Sequence, residues 1–149
     1  MLQRNTIVVG YDGSDDARAA AETAADLVAD GGAVHVVTAY RLPSMTETAR
    51  LWHELPPEFR DSFDVLAGPE AQQAELLALL HGRGVSAVGR LVEGDAASAI
   101  LDAADEVDAD LVVVGSRGLG AASRFLRGSV SSRVATHARM SALVVRGDD

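Results

Sequence analysis

Asp110-Leu111-Val112-Val113-Val114 is an unbroken apolar, β-branched run that ends on Gly115. With no polar alternation it reads as a strand buried on both faces, the habit of a parallel sheet. The next stretch is just as restrictive: Gly115-Ser116-Arg117-Gly118, nine residues, then Gly128-Ser129. Glycine lets a backbone turn sharply and approach a ligand closely. Val130 and Val134 share one helical face, so a helix opens near Gly128-Ser129. Strand, glycine-rich loop and hydroxyl-rich helix start together make a cradle for an anion. Successive N–H groups form a nest, and the helix N-terminus adds partial positive charge. Such a cradle works only if the protein's own chain does not already engage those amides.

The spacing excludes two common phosphate loops. A Walker loop places Lys after its second glycine, and this chain contains no Lys at all. Gly115, Gly118 and Gly120 fall in the wrong order for the Gly-x-Gly-x-x-Gly dinucleotide fingerprint. Composition narrows the classes further. A chain of 149 residues suits one compact domain, and a net charge of −9 opposes nonspecific nucleic-acid binding. Arg117, Arg124, Arg127 and Arg133 form a local basic cluster beside the loop. With no cysteine there are no disulfides, zinc–thiolate sites or thiol catalysis. No apolar run nears the roughly 20 residues of a membrane span, and no signal-peptide core precedes the first strand. A cytoplasmic location without membrane partners is expected.

Taken in order, 6–11 reads as a first strand closed by Asp12-Gly13-Ser14. Ser14 is a good N-cap, with Asp15 and Asp16 favouring the dipole in the first turn. Ala17, Ala20, Ala21, Ala24, Leu27 and Val28 give an amphipathic helix stopped by Asp30-Gly31-Gly32. A second strand covers 33–39. Short helices are expected at 46–53 and 57–65, with Leu51, Trp52, Leu55, Phe59 and Phe63 packing locally over a sheet edge, forming a lid, or meeting a second subunit. A helix at 70–81 covers the sheet through Ala74, Leu76, Leu77 and Leu80, and a third strand runs over 85–92. Asp95 caps the next helix, whose buried side carries Ala96, Ala99, Ile100, Ala103, Ala104 and Val107. A helix at 129–137 and a strand at 142–145 finish the chain. Alternating strands and helices make a parallel sheet covered on both faces, with a crevice at the strands' carboxyl ends.

Gly115-x-x-Gly118-x9-Gly128-Ser129 directly after a late buried strand resembles the motif of the ATP-binding branch of the universal stress protein family. The resemblance runs from Ile7-Val8-Val9-Gly10-Tyr11-Asp12-Gly13-Ser14, through Gly94-Asp95, to Leu143-Val144-Val145. It implies a doubly wound, five-stranded parallel sheet of order 3-2-1-4-5 with helices on both faces, in a homodimer joined through the last strand. It also implies an adenine nucleotide, ATP or another, with or without Mg²⁺. Asp12 would sit near adenine or ribose, and the backbone around Thr38 and Ala39 would meet the adenine. Gly115, Gly118, Gly128, Ser129 and Val130 would line the phosphates, with Arg117 steadying them. Each role has a plain alternative: Asp12 as an Asx-turn residue, Ser129 as an N-cap, Arg117 as a solvated arginine. Ala96 and Met140-Ser141-Ala142 stand where the family often has proline.

Hydrolysis needs charge stabilisation on the transferred phosphoryl and an oriented water. No residue stands out as a positioned base, and no acidic pair is dedicated to Mg²⁺. His35, His53 and His81 are too scattered for a metal site. The expected function is therefore an adenine-nucleotide-binding stress regulator or switch with at most slow turnover. The alternative is a homodimeric interaction protein with a vestigial loop.

Overall fold

The computed structural model describes residues 4–117 and 128–147. Strand β1 (Arg4–Gly10) lies between β2 (Val28–Tyr40) and β4 (Leu111–Gly115). The edges are β3 (Ser86–Glu93) and β5 (Ser141–Val145), so the order is β3-β2-β1-β4-β5 and every pairing is parallel. Order and direction match the sequence expectation.

The pleat decides which helix goes where. Ile7, Val9, Val34, Val36, Leu111 and Val113 face α1 (Asp15–Leu27) and α3 (Ala67–Gly82). Val8, Val37, Val112 and Val114 face α4 (Ala96–Glu106) and α5 (Ser129–His137) on the other side. Since both faces are covered, the central strands carry apolar residues without alternation. Alanine at positions 17, 20, 21 and 24 is buried and lets α1 lie close to the sheet.

Several boundaries differ from the expected ones. Helix α1 ends at Leu27, ahead of the glycine pair, because Val28 already pairs with Arg4 before a register shift brings Ala33 opposite Thr6. Tertiary pairing overrides the local stop signal there. On α3, Ala74 is exposed and Gln73 is buried in its place. The Gln73 amide nitrogen donates to the carbonyls of Val36 and Arg90 and to the Thr38 hydroxyl, which holds α3 to β2 and β3. Residues Pro57–Ser62 form a 3₁₀ helix shorter than expected. Helix α2 (Met45–Glu54) is sharply capped by a reciprocal Ser44–Glu47 pair, yet none of its residues is buried. Leu51, Trp52 and Phe59 are exposed, so little sheet edge is covered by them. The segment is instead held by Arg60, which donates to the carbonyls of Trp52, His53 and Leu55 and lies 4.6 Å over the Trp52 ring.

One buried side-chain nitrogen among the described residues, His35 Nδ1, has no hydrogen-bond partner. Burial, with the nearby Arg90 cation second, holds the His35 imidazole below its ordinary pKa of 6.5. A base whose folded pKa is lowered contributes its full stability above the unfolded value and loses it as pH falls below that value. His35→Leu is therefore expected to gain about 1 kcal/mol at pH 7.5 by removing an orphaned polar atom. The gain should widen by pH 5, because the variant has no imidazole there to charge. Urea unfolding of both proteins at the two pH values checks this; a gap that does not change with pH contradicts it.

Candidate functional site

The carboxyl ends of β1, β2 and β4 meet at the point where the chain order reverses, which is where an open α/β sheet leaves a crevice. Asp12 leaves β1 and accepts the Ser14 N–H on its Oδ1 at 2.9 Å, so the Asx turn is real. Gly13 needs its positive φ of 85° for that turn. The Ser14 hydroxyl then accepts from Ala17 N–H, capping α1, and donates to the Arg117 carbonyl at 3.5 Å. One serine thus joins the end of β1 to the end of β4.

Tyr11 N–H donates to the Val37 carbonyl, while the Tyr40 carbonyl accepts from Gly94. A strand turns alternate residues to opposite neighbours. Ala39 therefore aims its N–H and C=O toward the side of β1, which has ended by then, and Thr38 is turned toward β3. The Thr38 side chain is buried against Gln73. Of the two expected adenine neighbours, Ala39 is the one that presents backbone to the crevice.

The start of the glycine loop is fastened by four hydrogen bonds to three residues. Ser116 N–H donates to the Val145 carbonyl at 2.8 Å, and its own carbonyl accepts from Gly128 N–H at 3.1 Å. Its hydroxyl donates to Asp16 Oδ2 at 2.6 Å, and Arg117 N–H donates to the same oxygen at 3.1 Å. The other Asp16 oxygen accepts from Gly147 N–H at 2.9 Å. Asp16 is buried at 7% exposure, with the Arg117 guanidinium 3.6 Å away. Burial alone would raise its carboxyl pKa. The Ser116 hydroxyl, the Gly147 amide and Arg117 together outweigh that and hold it below the ordinary value.

This geometry corrects part of the sequence reading. The amides of Ser116, Arg117 and Gly128 are engaged by the protein's own chain, so they are not the open nest that two free glycine clusters would give. The first turn of α5 is different. Its N-cap is Gly128, not Ser129, and among the described residues no side chain caps it. The N–H groups of Ser129, Val130 and Ser131 open the helix there, where the helix partial charge is positive. The Ser131 hydroxyl is turned back onto the Gly128 and Ser116 carbonyls. Gly115 and Gly128 are glycine for contact reasons. A Cβ at 115 would lie 2.7 Å from the Asp16 carbonyl carbon, and one at 128 would lie 2.7 Å from the Ser116 carbonyl oxygen. Gly118, Arg124 and Arg127 lie outside the described residues. Asp12, Ala39, Gly115, Arg117, Gly128, Ser129 and Val130 are thus set at one end of the sheet.

Among the described residues no three His, Asp or Glu side chains gather as a metal site, and no helix is long and apolar enough to cross a membrane.

A parallel sheet of this order, with helices packed on both faces, defines a doubly wound α/β protein. The family model described as "Universal stress protein family" matches residues 3–146, and the chain belongs to that family. It is 39% identical over 142 residues to a universal stress protein of Thermus aquaticus, covering 95% of this chain and 98% of the other. With one from Mycobacterium tuberculosis it shares 34% over 153 residues, covering 97% and 98%. A crystal structure of a universal stress protein in complex with cAMP superposes with a TM-score of 0.69 at 29% identity, covering 96% of this chain and 97% of that one. An Arabidopsis thaliana family member with AMP bound has the same fold, at a TM-score of 0.67, 19% identity and coverage of 97% and 92%.

Proposed function

We propose that this protein, as one nucleotide-binding domain, binds an adenine nucleotide at the carboxyl edge of its sheet. It would act as a cytoplasmic, nucleotide-dependent stress regulator with at most slow hydrolysis. The observation that carries this is the first turn of α5: no side chain among the described residues caps the N–H groups of Ser129, Val130 and Ser131, which lie beside the fastened exit of β4. Support comes from the 29% identical relative solved with cAMP. In this reading the phosphates take the α5 amides, with Arg117 steadying them, and Mg²⁺ would offset phosphate charge where ATP is the ligand. The base lies toward Ala39 and Asp12. The active form is a homodimer paired through β5, the edge strand whose Val144 is exposed.

One observation favours the second reading, a homodimeric interaction protein with a non-binding loop. Three of the described loop amides are already engaged within the chain. Thermal unfolding separates the two. A ligand that binds only the folded state adds about 2.7 kcal/mol at a hundredfold excess over Kd, which is a rise of roughly 5–10 °C for a chain of this size. ATP, AMP or cyclic AMP should produce such a rise. No rise with any of them, together with a stable dimer in sedimentation, would favour the interaction protein.

A further inference from the structure

Asp15 and Asp16 both stand in the first turn of α1, but only Asp16 is buried. The helix dipole does not need it there, because Ser14 caps the helix and Asp15 supplies an exposed charge. A carboxylate is held in such a place only when donors replace its lost water. All of its donors come from the exits of two strands, Ser116 and Arg117 after β4 and Gly147 after β5. The fit is close: a Cβ at 147 would lie 2.7 Å from Asp16 Oδ1. The direction in which the backbone enters the glycine loop is therefore set by this side chain, and the Ser116 carbonyl then receives the returning chain at Gly128.

We infer that Asp16 is the positioning residue of the nucleotide loop: it fixes Ser116 and Arg117 so that the first turn of α5 faces the crevice, and it ties the tail after β5 to the same point. This rests on the nucleotide reading above and extends it to a residue that touches no ligand.

The test pairs hydrogen exchange at single amides with nucleotide affinity in the full-length chain. Asp16→Ala should speed exchange at Arg117 and Gly128, and weaken ATP or AMP binding, each by roughly tenfold, since hydrogen bonds to a charged group are lost. Asp16→Asn can still turn its one carbonyl oxygen to Ser116 and Arg117, and should stay within about threefold of the parent on both readouts. Leu80→Ala, a core truncation on α3 far from the crevice, lowers stability without touching the clamp. Parent-like exchange and affinity in Asp16→Ala would overturn the inference. So would the same localised losses in Leu80→Ala, because the effect would then be general destabilisation. If Asp16→Ala does not fold, Ser116→Ala carries the test by removing one donor: exchange at Arg117 should rise about threefold, and a parent rate overturns the inference. A parent protein that binds no nucleotide defeats the nucleotide reading instead, while the exchange data still decide whether Asp16 sets the loop.

Discussion

Gly115→Ala is expected to destabilise the protein by about 3 kcal/mol, lowering its melting temperature by roughly 6–12 °C. The added methyl would meet the Asp16 carbonyl carbon at 2.7 Å and the Ala17 nitrogen at 2.8 Å. Both are backbone atoms in the first turn of α1, and neither can swing aside as a side chain would. Relief requires lifting the helix start, which strains the Ser14–Arg117 and Asp16–Ser116 contacts together. Gly82→Ala is the control, since a Cβ there meets nothing within 4 Å and the position closes α3. It should melt at or slightly above the parent temperature. Calorimetry of the three proteins checks this, and a Gly115→Ala melt within a degree of the parent contradicts the packing described.

Gly128→Ala should act on the ligand more than on the fold. Its Cβ would press on the Ser116 carbonyl oxygen at 2.7 Å, the acceptor that receives the Gly128 N–H. The bond closing the loop would open, and the first α5 amides would turn away from the crevice. At a hundredfold excess over the parent Kd, bound ATP should stabilise the parent by about 2.7 kcal/mol, and the variant should lose nearly all of that. Thermal melting with and without ATP reads the difference. A full nucleotide shift in Gly128→Ala would mean that the α5 amides are not what holds the phosphates.

Much of the fold is legible in the sequence because one physical pattern is strong. Buried parallel strands such as Val112-Val113-Val114 and Ile7-Val8-Val9 are apolar without alternation, and the helices between them leave few topologies. Ser14 and Asp95 are readable as caps, and both accept the expected N–H groups. Asp16 is more than the dipole residue its place in the first turn suggests, and a signal for this is present. It falls four and eight residues before Ala20 and Ala24, on the buried stripe of α1. Gln73 makes the same point, in line with Leu76 and Leu80 on α3. A polar residue on an apolar stripe means an internal partner, and here that partner comes from another strand. Which partner it is depends on tertiary pairing that local spacing does not encode. Engagement of the Ser116 amide by Val145 and of the Arg117 amide by Asp16 is hidden for that reason.

The central claim, that the crevice holds an adenine nucleotide, is tested most directly by native mass spectrometry of the purified full-length protein before and after adding ATP, AMP or cyclic AMP. The expected result is each subunit heavier by the mass of one nucleotide, in a dimer carrying two. A spectrum showing only bare subunits at saturating concentrations of all three nucleotides would contradict it.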